Sequence, residues 1–469
     1  MRAARRDALM PFAEILAIVM VAAVIVTLMA GYPVAPTLAG ISLAFAVLGH
    51  LTGAMNIGIL GALPQRMFGI MTNEVLLAIP LFIFMGVMLE RSRIAEDLLE
   101  NMARLFGPLR GGLGISVVIV GVLLAAAKGV VGATTVAMGL IVLPAMLRFG
   151  YDKRLAAGTV AATATLAQIF PPATVLILLG DQLSSSYQAA QLSQGVLAPK
   201  SVTVADLFAG AIIPGFALVA LYMLFLVFMA VFFPKTSPAM PRAAEAPSGA
   251  AHQFFVSLIA PLALIVAVLG SILGGIATPT EAASIGAVGA VLLAAFRSGV
   301  KDLIAPVARR ATQITSMIFL ILIGATLFSL VFRALGGDDL VQRVIGSLPG
   351  GVGTAIFAVM VAIFLLGFVM DAFEIIFVVV PLIAPILLKM GVDPVWLGVM
   401  IAVNLQTSYM HPPLGPTLFF LRGVAPPEIT TRDIYIGVIP FVAIQLVALA
   451  VLWFVPGLAT ALPHALYGR

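Results

Sequence analysis

The chain has no cysteine among its 469 residues. That excludes disulfides, thiolate metal sites and cysteine nucleophiles. Histidine is nearly as scarce: His50, His252, His411 and His464 are scattered, and no HExxH pair occurs. Charge is sparse as well. Asp, Glu, Lys and Arg together make up 10% of the residues, against about 25% in a soluble globular protein, so a water-soluble fold is ruled out. There is no GxxxxGK[ST] and hence no Walker-type nucleotide site. The lack of GxSxG argues against a membrane hydrolase. Gly180-Asp181 has no second intramembrane aspartate nearby and fits an aspartyl protease poorly. The net charge of +5 sits in short loops, which is a signal of membrane topology and not of nucleic-acid binding.

What is present is apolar. Hydrophobic residues reach 62% and the mean hydropathy is +1.17. With about 20 apolar residues per membrane crossing, the chain has room for roughly a dozen spans. Apolar segments fall at 10–30, 34–52, 74–90, 112–127, 130–147, 155–182, 205–233, 254–273, 279–296, 313–332, 353–370, 375–388, 395–421 and 435–457. The first follows Arg2, Arg5 and Arg6. It is too long for a signal-peptide core and lacks a small-residue cleavage site, so it reads as a transmembrane helix. The Pro/Ala/Ser-rich stretch 234–253 is the one clear linker, dividing the chain into halves at 1–233 and 254–469.

Two segments are short. Val136 to Leu147 would reach only about 18 Å at 1.5 Å per residue, against a hydrocarbon core of about 30 Å. Segment 375–388 is similarly short and holds Pro381 and Pro385. Both read as return arms of re-entrant helical hairpins, at 111–148 and 353–390. Such breaks survive at membrane depth only when buried in protein or lining a cavity. With these hairpins, Arg91, Arg93, Arg104, Arg110, Arg148, Lys153, Arg154, Lys235, Arg242, Arg297, Lys301, Arg309, Arg310, Arg422 and Arg432 share one side. The positive-inside rule makes that side cytoplasmic, linker included. Loops 183–204 and 334–352 fall outside, and by this count so do the N-terminal arginines.

The halves repeat. Pro144, Gly150, Asp152, Pro171 and Pro172 correspond to Pro385, Gly391, Asp393, Pro412 and Pro413, each pair 241 apart. APTLAGISLA (35–44) answers TPTEAASIGA (278–287). The chain crosses the membrane five times between Gly150 and Gly391, and an odd number places the two loops on opposite faces. The repeats are thus expected to be inverted, an architecture of secondary transporters.

Each half carries Pro-Pro inside an apolar segment, and proline breaks a helix. The broken helices are expected at 155–182 and 395–421. Before the first break stand Thr163, Thr165 and Gln168. Before the second stand Asn404, Gln406, Thr407, Ser408 and His411. Freed carbonyls together with amide and hydroxyl oxygens suit a hard cation such as Na⁺. The hairpin tips supply a facing wall: Lys128 to Thr135, with Gly129, Gly132, Ala133, Thr134 and Thr135, and Gly367 to Glu374, with Asp371 as a possible cation ligand. Lys128, alone in an apolar stretch, suits either an anionic substrate group, a salt bridge to Asp371 or Glu374, or snorkelling. Lys128, Thr135, Gln168 and Asn404 are the candidate substrate-binding residues.

At these residues the chain resembles the large membrane subunit of tripartite ATP-independent periplasmic (TRAP) transporters, over nearly its whole length. The resemblance rests on IPLFIFMGVMLERSRIAEDLL (79–99), GATTVAMGLIVLPAMLRFGYD (132–152), QIFPPATVLILLGD (168–181), GGIATPTEAA (274–283) and NLQTSYMHPPLGPTLFFLRGVAP (404–426). The last segments look most like the mannitol/chloroaromatic subgroup. The resemblance implies an all-α polytopic protein of the bacterial inner membrane with inverted repeats, two hairpins and two broken helices, importing an organic anion by a sodium-driven elevator. It implies two partners, a small four-helix membrane subunit and a periplasmic binding protein, and no enzymatic activity. Carried over by position, one Na⁺ would lie among Ala133, Thr134, Ala167, Phe170 and Pro172. Another would lie among the second tip (Gly367, Asp371), Ser408, His411 and Leu414. Most would act through main-chain carbonyls. The sequence departs from the family at Ala133 and Thr134, where serine is common, and at His411, usually threonine, which would make the second site pH-sensitive. A partner-independent cation/proton antiporter or channel of similar inverted design is the alternative.

Overall fold

In hydrocarbon a backbone has only its own N–H and C=O groups to pair with, so helices are the form an apolar chain of this length takes. The computed structural model describes residues 2–92, 98, 101–102, 105–128, 130–240 and 250–468, with the backbone alone given at 2–11, 127–128, 250–257 and 297–298. Among the described residues there is no strand. Among the described residues eight helices are long and apolar enough to cross a membrane, or nine if the bent pair Ile57–Met71 and Glu74–Arg91, meeting at 53°, counts as one span.

The elements run α1 (Arg2–Met29), α2 (Val34–Leu51), a 3-10 turn (Ile57–Ala62), α3 (Leu63–Met71), α4 (Glu74–Arg91), α5 (Gly112–Lys128), α6 (Val131–Arg148), α7 (Lys153–Thr165) with a 3-10 turn (Leu166–Gln168), and α8 (Thr174–Ser193). Then follow α9 (Val204–Phe232), α10 (Ala250–Leu273), α11 (Pro279–Ser298), α12 (Ile304–Ala334), α13 (Gly337–Gly346), α14 (Gly351–Leu366), α15 (Ala372–Lys389), α16 (Pro394–Met410), α17 (Pro416–Val424), α18 (Thr431–Phe454) and α19 (Gly457–Tyr467). Capping boxes start several of them. Thr203 with Asp206 opens α9, Thr278 with Glu281 opens α11, and Thr430 with Asp433 opens α18, each pairing two orphan N–H groups of a helix start.

Three expectations need correction. The return arms are not short: α6 and α15 are 18 residues each, about 27 Å at 1.5 Å per residue. The tip residues join the helix, because Thr134 and Thr135 donate to the carbonyls of Val130 and Val131, and α15 continues through a π turn at Ile375–Val379. The hairpins therefore rest on their breaks and on arm packing. α5 and α6, joined by residues 129–130, pack together, as do α14 and α15, joined by 367–371. The segment after Leu183 is helical to Ser193, beyond the expected end at 182. The polar helices α3 and α13 do not show in the hydropathy pattern, since they are short and amphipathic.

The chain forms two compact units. The first comprises residues 1–76, 181–202 and 313–394; the second comprises 77–180, 203–312 and 395–469. Each unit thus draws on both sequence halves. In the first unit α1 packs on α2 and on α13, where Arg343 pairs with Glu14, and α13 packs on α14 and α15. In the second unit α7 lies at the centre, against α5, α6, α17 and α18. The beginning of the linker is docked there: Gly111 N donates to Ser237 O at 3.0 Å and Asp152 N to Thr236 O at 2.9 Å. Residues 241–249 lie outside the described residues, as do Arg93, Arg104 and Arg242 from the basic set.

The repeat is visible locally. Gly150 and Gly391 both end a hairpin arm with positive φ, +79° and +88°, which glycine adopts without a Cβ penalty. Both Pro171-Pro172 and Pro412-Pro413 are cis.

Candidate functional site

A proline at position i+4 leaves the carbonyl at i without its helical donor. Pro171 and Pro172 do this to Ala167 and Gln168. The nearest alternatives do not compensate, because Ile169 N and Phe170 N both turn to Leu166 O, at 3.1 and 2.9 Å. Among the described residues no main-chain donor outside the regular helices reaches the carbonyl of Ala167 or Gln168. Ala167, Phe170 and Pro172 are all buried, with the Phe170 ring edge-on to Phe216 at 5.0 Å. Both arms of the first hairpin, α5 and α6, pack on the turn Leu166–Gln168. The first hairpin, whose arm α6 carries Ala133 and Thr134 in its first turn, thus packs on the element that carries Ala167. Thr134 and Thr135 are fully buried, each hydroxyl donating within its own helix at 2.9 Å and keeping its lone pairs. The same hairpin touches the second half-helix. A Cβ on Gly139 would lie 2.6 Å from Val424 Cγ2, so only glycine allows α6 and α17 this approach.

At the second break Ser408 is buried and donates to Leu405 O at 2.9 Å. His411 Nδ1 lies 2.6 Å from Pro412 O; a carbonyl only accepts, so Nδ1 carries the proton. Leu414 is exposed. Gly415 has no room for a side chain beside the Tyr409 carbonyl. Ser408, His411 and Leu414 belong to the second unit, Gly367 and Asp371 to the first. Asp371 caps the short turn after it, accepting from Ala372 N at 2.7 Å. Glu374 beside it is buried with Oε2 unpartnered. Of the proposed substrate residues, Thr135, Gln168 and Asn404 are buried in the second unit. The Lys128 side chain, with Gly129, lies outside the described residues.

Between the two broken helices the second unit buries a charge-free polar cluster. Gln406 Nε2 donates to Thr165 Oγ1 at 3.3 Å, and Gln445 Nε2 donates to Tyr222 OH at 2.8 Å and to Thr165 Oγ1 at 3.5 Å. Thr165 and Gln406 are 241 apart, the offset of the repeat, so equivalent positions of the two halves meet here. Three amide oxygens, on Gln168, Gln406 and Gln445, are buried without partners, as is Gln168 Nε2. Unpaired acceptors of this kind cost free energy unless a cation, water or ligand meets them. Gln445 and Tyr222 are not among the residues that the sequence pattern singles out. The available signal is a lone amide in the apolar part of α18, five residues after Pro440.

Among the described residues no group of three or more His, Cys, Asp or Glu side chains is placed to hold a metal ion. Cation binding here would fall to carbonyl, amide and hydroxyl oxygens, the donor set of a hard ion. Outside the spans, Tyr151 lies against the first hairpin, its hydroxyl 3.3 Å from Gly114 N, and burial pushes that phenol up from its ordinary range.

Comparison with known proteins bears on the family and the fold. The profile of the family described as "Tripartite ATP-independent periplasmic transporter, DctM component" matches residues 21–458. The C4-dicarboxylate TRAP transporter large permease protein DctM of Rhodobacter capsulatus is 31% identical, over 83% of this chain and 87% of that protein. The protein of the same name from Vibrio cholerae is 29% identical over 95% and 97%. The ectoine TRAP transporter large permease TeaC of Halomonas elongata is 26% identical over 94% and 97%. Among solved structures, the YdaH transporter of Alcanivorax borkumensis shares the fold with a TM-score of 0.62 at 16% identity, over 86% of this chain and 88% of that one. The chain therefore belongs to the DctM-component family of tripartite ATP-independent periplasmic transporters, and is a multi-pass permease component of the bacterial inner membrane rather than an enzyme.

Proposed function

We propose that this chain imports an organic anion by sodium symport, receiving it from a periplasmic binding protein and working with a small four-helix membrane subunit. The relatives are named for C4-dicarboxylates, 2,3-diketo-L-gulonate, isethionate and sialic acid as well as ectoine, which favours an acid as the cargo without fixing which one. The observation that carries the sodium reading is the first break: carbonyls at Ala167 and Gln168 that no main-chain donor outside the regular helices reaches, buried beneath the hairpin that carries Ala133 and Thr134. In this reading these oxygens with Phe170 and Pro172 hold one Na⁺, and Ser408, His411 and Leu414 at the second break contribute to a second. Lys128, Thr135, Gln168 and Asn404 meet the substrate. The repeats are inverted, and the hairpins with the broken helices move as an elevator against a scaffold.

Sodium binding and transport are tested separately. NaCl should raise the thermal midpoint of the purified protein above that in choline chloride, because a ligand that binds only the folded state stabilises it. In proteoliposomes with both partner subunits, uptake of radiolabelled organic acids should require an inward Na⁺ gradient and ignore ATP. Full-rate uptake in Na⁺-free buffer with a proton gradient alone would refute the coupling.

A further inference from the structure

The first unit contains a cavity of about 360 Å³, within the size range of small-molecule sites. Its walls come from α3 and the residues just after it, from α8, α12 and α15. Phe377, Pro381 and Pro385 make one side apolar; Arg66, Arg333, Asp181 and Thr326 bring polar groups to the rest. No sequence motif points to it, since these residues come from four distant stretches.

Its charges are unevenly answered. Both oxygens of Asp181 are occupied by amides, with Asn73 Nδ2 at 2.8 Å and Gln182 Nε2 at 3.0 Å. Arg66 makes no ion pair among the described residues. Arg333 uses Nε on Asp338 at 3.2 Å, which leaves the outer fork of its guanidinium, and Asp338 itself does not line the cavity. Asp338 is also a weakened counter-charge: burial pushes its carboxyl up from the ordinary range, and the nearby Arg333 only partly opposes this. The lining therefore offers two guanidinium groups against one carboxylate that is already hydrogen-bonded.

We propose that this cavity is an anion-selective vestibule, which takes a small organic acid with its carboxylate on Arg66 and Arg333. The inference rests on the organic-anion reading above. The vestibule belongs on the outer face in that reading, since the C-terminal ends of α8 and α12 lie in the segments 183–204 and 334–352 that the charge count places outside. Arginine suits the task because its fork meets a carboxylate with paired donors. The Asp181 carboxylate opposite favours acids that also carry a hydroxyl or ammonium donor.

The Cys-free chain allows a direct test that needs neither sodium nor partner subunits. Thr326→Cys places a thiol on the cavity wall, and Ser347→Cys places one on an exposed control position outside it. Each is labelled in detergent with a sulfonate-bearing and a trimethylammonium-bearing methanethiosulfonate reagent. A cleft of one sign raises the local concentration of oppositely charged reactants by about tenfold or more. The anion-to-cation rate ratio at Thr326→Cys should therefore exceed that at Ser347→Cys by about that factor, and the excess should shrink in 1 M salt, where the screening length is about 3 Å. Adding Arg66→Gln, a change at an exposed residue without an ion pair, should remove much of the preference, and Arg66→Gln with Arg333→Gln should remove it all. A ratio equal to the control, or one unchanged by the arginine substitutions, overturns the proposal. Loss of sodium-driven uptake would not move this readout, so the two readings fail separately.

Discussion

Replacing Gly158 with alanine should destabilise the second unit, against the sign that helix propensity alone gives. α7 and α18 touch backbone to backbone. A Cβ on Gly158 would run into the Gly437 carbonyl, and a Cβ on Gly437 into the Arg154 carbonyl, with Gly158 N at 3.1 Å. No rotamer change relieves a clash with main chain. An ordinary carbon–oxygen contact is about 3.3–3.6 Å, so the helices would have to part by roughly an ångström. Two turns further along, the same pair of helices carries Thr165 and Gln445, whose 3.5 Å hydrogen bond is already at its limit and would open first. Overpacking of this kind costs about 1–3 kcal/mol, and a rigid backbone contact belongs at the upper end. The change from glycine to alanine in a helix returns about 1 kcal/mol. The net expectation is a loss of about 2 kcal/mol, read by denaturant titration of the purified protein in detergent. Gly270→Ala is the control: nothing lies within 4 Å of its Cβ position, so it should show only the gain. If Gly158→Ala is as stable as the parent, or moves with Gly270→Ala, the close helix contact is refuted.

Two further outcomes are expected. Single cysteines at Lys153 and Lys389, exposed neighbours of Gly150 and Gly391 without their left-handed φ, should be labelled from opposite faces of intact vesicles; labelling from one face would remove the inverted repeat. Gln445→Leu should cost about 1 kcal/mol by removing the 2.8 Å bond from its amide to the Tyr222 hydroxyl. Adding Tyr222→Phe should then cost less than the sum of the single changes, and strict additivity in unfolding measurements would dissolve the cluster.

The sequence by itself determined the class and most of the punctuation. Apolar runs of about 20 residues span hydrocarbon as helices, because a barrel strand needs only about 9–11. Proline and glycine act locally, so the breaks at Pro171-Pro172 and Pro412-Pro413 and the turns at Gly150 and Gly391 can be read directly from residue types at a fixed offset. The membership that TRAP-like motifs suggest is legible for the same reason: those motifs are the local punctuation. Helix ends are less so. The hydropathy pattern stops α6 short, because Thr134 and Thr135 look polar yet satisfy their hydroxyls inside the helix. Only the tertiary structure decided which polar groups meet. Gln445 and Tyr222 join Thr165 across long stretches of chain, and Arg66, Asp181 and Arg333 reach one cavity from three separate helices. Nothing local distinguishes these residues. Their partners depend on helix packing, which is fixed by close approaches such as Gly158 on Gly437 and by the shapes of many side chains together.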